Sequence, residues 1–355
     1  MRLLFVWFFV VASLTAAQAT NWKLIKYAGR DHLTIENIAE FYRFGTVITR
    51  GKVFAMTDGS RSLRGSRGSN EIFINRLKFI LSYPIREHGG KILVSRMDLA
   101  KLIEPVMRPS RIKSAGPIET VILDPGHGGH DPGARGRWGN EANYTLDVAR
   151  RTRDLLLQEG FQVHLTRDRD VFIPLDDRPR FGNKFSNAVF ISIHFNHGKS
   201  EASGLETFTL APRGVPSMAS DGPRMSDLIA CPGNVNDAAN MALATATHAA
   251  MVSSVGGYDR GIKRARFRVI RQSTIPAVLV ECGFLSSSRD GRKIASDDYR
   301  QLIAMALARA VKNYRDAVKP EPEPEPPVGP LVDLKTKTKE AAASSETDST
   351  SDTPE

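Results

Sequence analysis

Val121-Ile122-Leu123-Asp124-Pro125-Gly126-His127-Gly128-Gly129-His130-Asp131-Pro132-Gly133-Ala134 is the stretch of this 355-residue chain whose reading decides the fold. Its first three residues form a short buried-type strand, which runs into a glycine-rich turn with a histidine at the tip. The glycines let the backbone fold tightly around an exposed imidazole. A glycine-rich strand-to-helix turn can also cradle phosphate, but neither G-x-G-x-x-G nor a Walker lysine is present here.

Outward from this turn, residues 144–157 carry apolar side chains at helical spacing, and strand and helix signals then alternate. Residues 161–165, 188–193, 205–210 and 277–280 read as strands, and residues 237–252 and 299–318 as helices. Such alternation predicts an α/β domain with a mostly parallel, twisted sheet covered by helices on both faces. In open sheets of this kind ligands sit beyond the carboxyl ends of the strands. Chemistry is therefore expected where those strands end.

Three more polar residues stand at such places. Glu141 sits where the helix after the turn begins, where a carboxylate either complements the helix dipole or serves a site. His194 ends the run Val189-Phe190-Ile191-Ser192-Ile193 and emerges at the edge where His127 leaves its own strand. Two imidazoles and a carboxylate meeting there would form a zinc site with a position open to water. Glu281 ends Pro276-Ala277-Val278-Leu279-Val280, and an ionisable group there is costly to bury without a task. On spacing alone, a salt-bridged structural role for Glu281 stands equally open.

Together, residues 124–134, Glu141, Ser192-Ile193-His194-Phe195-Asn196 and Val280-Glu281-Cys282-Gly283-Phe284-Leu285-Ser286 resemble the zinc-dependent N-acetylmuramoyl-L-alanine amidases of the Amidase_3 type. The resemblance covers about residues 118–318. It implies Zn2+ as cofactor, with His127, Glu141 and His194 as its ligands, and Glu281 as the catalytic acid/base. It also implies a fold related to the zinc carboxypeptidases, peptidoglycan as partner, and room for a regulatory activator protein. The bond cut would join N-acetylmuramic acid to L-alanine, in wall remodelling or daughter-cell separation. A zinc peptidase acting within the stem peptide and a non-catalytic wall-binding protein are the alternatives.

Thr166-Arg167-Asp168 and residues 261–270 also follow the family's pattern. The Arg and Lys of residues 261–271 read as holders of substrate carboxylates or as a solvated charged edge. His130 and His197 lie beside the two ligand histidines and read as surface or supporting residues; His164 and His248 read as scaffold. The insertion at residues 211–236 has little periodicity, and loops of that length are usually functional or disordered. It is expected to flank or cover the zinc cleft.

The ends of the chain place the work outside the cytoplasm. Arg2, an apolar run over residues 3–12 and Ala17-Gln18-Ala19 read as a signal peptide over residues 1–19. About 20 apolar residues are needed to span a bilayer, so no transmembrane segment is expected in the mature chain. Residues 20–109 read as a small mixed α/β N-terminal domain with wall binding as an open role and a faint likeness to copper amine oxidase N-terminal-like modules. Residues 110–117 read as a linker, residues 118–318 as the catalytic domain, and residues 319–355 as a disordered Pro/Glu/Ser/Thr tail.

That tail holds four Lys against six Glu and three Asp, so the chain's +10 leaves +15 on the remainder. A basic surface favours a polyanionic partner, and export makes a cell wall a better fit than nucleic acid. The expected location is the periplasm or cell-wall space. Cys231 and Cys282 lack C-x-x-C spacing and would close at most one disulfide.

Overall fold

The computed structural model describes residues 22–220 and 222–320. The signal peptide read at residues 1–19 and the tail beyond residue 320 lie outside the described residues. The strands that position the site are β1 (Thr120–Pro125), β2 (Gln162–Leu165), β3 (Ala188–Asn196), β4 (Leu205–Leu210), β5 (Asp259–Ala265) and β6 (Ala277–Phe284). The long helices are α1 (Glu141–Gln158), α2 (Asp237–Ser254) and α3 (Asp297–Ala317).

The strands lie in the order β2-β1-β3-β6-β4-β5. Pairing is parallel throughout this run except between β6 and β4, which are antiparallel. β1, β3 and β6 lie inside the sheet and read as near-continuous apolar runs, as strands covered on both faces must.

Alternation along each strand sorts the residues between the faces. Val121, Leu123, Val189, Ile191, Val278 and Val280 join one core with buried residues of α1, α2 and α3. Ile122, Phe190, Phe208 and Leu279 join a second core with Val269, Ile270 and Ile275. The three long helices thus share one face. The other is closed by loops and two short helices, Asp177–Gly182 and Arg268–Arg271.

The sheet does not end at β5. Ile262 pairs with Phe79 of the strand Leu77–Ile80, which begins an antiparallel run of five strands reaching Thr46–Arg50. A separate four-stranded sheet and the helix Ile35–Tyr42 complete this region. A buried ion pair, Arg264 Nη1 to Asp98 Oδ1 at 2.9 Å, crosses from β5 to it. Ile112 and Ala115, between the two regions, are buried.

One expectation is corrected by the register. Glu206 pairs with Glu281 and Phe208 with Leu279, so β4 runs away from the carboxyl end of β6. The insertion at 211–236 therefore leaves from the opposite end of the sheet from His194 and Glu281. There it is tied down by Met218 N to Arg264 O at 2.9 Å and Arg266 N to Ser217 Oγ at 3.0 Å. It does not cover the cleft. Cys231 packs in the second core and Cys282 in the first, and both are free thiols.

Candidate metal centre

His194 and Glu281 are register partners on the parallel strands β3 and β6 and continue the face that carries Phe190 and Leu279. They stand where the apolar rows of that face end. The turn after β1 supplies the third group. His127 holds a left-handed backbone, φ 61°, uncommon for a residue with a Cβ. Arg178 stabilises it by donating to the His127 carbonyl at 2.8 Å.

Buried polar groups under this turn explain its rigidity. Asp124 is fully buried and accepts from Thr166 Oγ1 at 2.6 Å, Ser192 Oγ at 2.7 Å and Arg178 Nη1 at 2.9 Å. Arg167 is also buried and donates to the carbonyls of Pro125, Gly126 and Ala142. A buried charge costs least when it is paired or fully hydrogen-bonded: Arg178 is paired with Asp124, and Arg167 is satisfied by backbone carbonyls of the turn and of α1.

Two of the turn's glycines lie against side chains of the site. A Cβ on Gly126 would stand 2.3 Å from His194 Cε1, and one on Gly133, at φ 65°, 2.5 Å from Glu141 Oε2. The bare backbone lets the turn close onto the side chains that β3 and α1 bring to it.

Glu141 is the first residue of α1 and buried. Its Oε1 accepts from Phe195 N at 3.0 Å and lies 2.9 Å from His194 Nδ1. Its Oε2 accepts from Ala134 N at 2.8 Å and lies 3.2 Å from His127 Nε2. Burial opposes its ionisation, but contacts with His127 and His194 hold its carboxyl well below the usual range. Burial also lowers the proton affinity of His127, yet Glu141 and Asp131 raise it overall. His127, Glu141 and His194 each offer one ligand atom, all within 4.8 Å of one another. Two imidazoles and a carboxylate are the donor set of a catalytic metal centre.

Glu281 is partly open to solvent, yet its Oε2 is sealed and has no hydrogen-bond partner. Burial, and then the charges of Glu141 and Glu206, push its pKa well above the ordinary carboxyl value. His130 packs on Phe172 with ring centroids 4.2 Å apart, and His197 is exposed. His164 stacks on Phe185, and His248 is buried between Thr207 and Asp259. None of these four belongs to the close group.

The basic run at 261–271 divides. Lys263 reaches the site's face, where its Nζ lies 3.1 Å from Glu206 Oε1. Arg264 turns to Asp98, Arg266 to Asp227 of the insertion, and Arg268 to Asp176. Only Lys263 of this run stands by Glu281, because β5 leads the later residues to the far end of the sheet. Asp131 and Glu206 were missed as site residues. Glu206 carried a readable signal, a lone acid in the strand Leu205–Leu210.

An α/β sheet with a His-Glu-His group and a further carboxyl, Glu281, at its strand ends is the framework of a metal-assisted hydrolase. Residues 121–313 match the N-acetylmuramoyl-L-alanine amidase family, and the chain belongs to it. Among its relatives is N-acetylmuramoyl-L-alanine amidase AmiA of Escherichia coli, 30% identical over 249 residues, 64% of this chain and 86% of the relative. The uncharacterized protein YqiI of Bacillus subtilis is 34% identical over 206 residues, 58% of this chain and 89% of the relative. The solved amidase AmiC2 of Nostoc punctiforme is 31% identical, covering 57% of this chain and 99% of that one, with a TM-score of 0.47. The activity is that of the family, hydrolysis of the muramoyl–L-alanine amide of peptidoglycan in cell-wall remodelling.

Proposed function

We propose that the chain performs this hydrolysis with zinc held by His127, Glu141 and His194, and with Glu281 as the group that moves the proton. The carrying observation is that three neutralisable ligand atoms converge within 4.8 Å beside a carboxyl oxygen that has no partner of its own. Nitrogen and oxygen donors in this number suit zinc with a position left open. When bound, zinc supplies Lewis acidity, making water a better nucleophile near neutral pH and polarising the scissile carbonyl.

The chain's own residues do the rest. Asp131 and Glu141 orient the His127 ring, and Phe195 N and Ala134 N fix the carboxylate of Glu141. Glu281 accepts a proton from the attacking water and returns it to the leaving nitrogen of L-alanine. Its raised proton affinity suits a carboxyl that takes a proton from water before giving it up.

The apolar run and A-x-A site at the amino end, and the basic balance of the chain, support export to a periplasm or wall space. Among the described residues no helix is long and apolar enough to cross a membrane.

Metal content and fragment masses, measured on one purified sample with sacculi as substrate, test the proposal. Glu281→Gln should keep zinc and lose release of stem peptides, and His127→Ala should lose both. Released stems should begin with intact L-alanine; cuts inside the stem would instead favour a peptidase. Full release by Glu281→Gln would remove the role assigned to that residue.

A further inference from the structure

We infer that Arg260 and Lys263 form a subsite for a free carboxylate of the peptide stem, and that Glu206 is the positioning residue that holds both at the cleft. The inference rests on the amidase reading of the site and names what lies beside the scissile bond.

Glu206 and Glu281 are register partners across the antiparallel pair β4 and β6, so two carboxyls emerge side by side on one face. Glu206 is only 3% exposed, and a carboxylate so buried needs compensation. It receives two cations on one oxygen: Arg260 Nε donates to Oε1, and Lys263 Nζ lies 3.1 Å from the same atom. One cation would neutralise it. The second is in excess of that need.

Both cations are also held from the apolar side. The Arg260 guanidinium stands 4.9 Å above the Phe284 ring centre, and the Lys263 ammonium 5.8 Å from that of Phe208. Yet 32% of the Arg260 side chain and 22% of the Lys263 side chain remain exposed, so each can still meet a ligand. An arginine fork beside a lysine point charge is suited to a carboxylate.

The spacing selects which carboxylate. Neighbouring strands lie about 4.8 Å apart, so groups on β4 and β5 fall roughly 5–10 Å from Glu281. An extended peptide advances about 3.3 Å per residue, which places the subsite one to three residues beyond the amide being cut. The first acidic residue of the stem after L-alanine falls in that window.

The test uses the metal-loaded full chain and two soluble muramyl peptides that differ only in the residue after L-alanine, D-glutamate with a free α-carboxylate or its α-carboxamide. The wild type should favour the free acid by about tenfold in kcat/KM, the worth of one charge-assisted hydrogen bond, and chiefly through KM. Lys263→Met and Arg260→Gln should shrink that ratio towards one, while Lys263→Arg keeps it.

Equal wild-type rates on the two peptides would overturn the subsite without any variant being needed. Proportionate losses on both peptides in the variants would overturn it too, reducing Arg260 and Lys263 to partners of a buried acid. Failure to cut either peptide at the lactyl amide would fell the amidase reading itself, a separate and recognisable result.

Discussion

Asp131 Oδ2 lies 2.8 Å from His127 Nδ1, closing a loop of five residues, 127–131, inside the glycine-rich turn. With the ring proton on Nδ1, where Asp131 accepts it, Nε2 is free to offer its electron pair on the side of Glu141 Oε2. A metal-binding histidine needs that tautomer and that ring orientation. Asp131→Ala should therefore weaken metal binding by about 10–100-fold with the fold retained. Competition against a chromophoric chelator measures it, and an unchanged affinity would show that the turn alone orients the ring.

Gly126→Ala should cost the site its metal more than it costs the protein its fold. The new methyl would lie 2.3 Å from His194 Cε1 and 2.7 Å from both ring nitrogens, so the imidazole must leave its place. The expected outcome is loss of bound metal and of peptide release, with far-UV circular dichroism unchanged. A variant that binds metal normally would mean that His194 can shift without consequence.

Asp259 links three elements, accepting from Lys78 N at 3.2 Å and Gly261 N at 2.7 Å and lying 2.9 Å from His248 Nε2. Burial opposes its ionisation, but His248 and these amides hold its pKa below the ordinary value. A depressed carboxyl stabilises the fold above its unfolded pKa, and that stability fades as pH falls through the folded value. Asp259→Asn should thus destabilise the protein by about 2 kcal/mol at pH 7. The deficit should shrink below about pH 4. Urea unfolding across pH checks this, and a deficit that persists unchanged in acid would refute the ionic origin.

The exposed apolar residues of the insertion should be dispensable for catalysis. Met225 and Ile229 are 79% and 66% exposed at the end of the sheet remote from Glu281. Met225→Ser with Ile229→Ser should leave the rate on sacculi within about twofold, as expected of surface substitutions. A tenfold fall would show that this face reaches the substrate after all.

Arg178→Ala should be among the most damaging single changes outside the metal group. It would leave Asp124, wholly buried, without its cation and free the His127 carbonyl. A loss of about 3–5 kcal/mol is expected, read from the denaturant midpoint. A loss under about 1 kcal/mol would mean that Thr166 and Ser192 suffice to hold the buried acid.

The sequence by itself determined the alternating elements and the polar residues that interrupt apolar runs. Strand and helix periodicities are local, so residues 121–123, 188–193 and 277–280 could be read directly, as could His194 and Glu281 at their ends. The glycine-rich turn was legible for the same reason, since backbone freedom is a property of single residues. Only the tertiary structure decided the direction of β4. No local feature of Leu205–Leu210 states whether it runs with or against β6, because direction depends on which neighbour it finds. That one reversal carried Glu206 into the site with Arg260 and Lys263, and sent the insertion and the other arginines to the far end of the sheet.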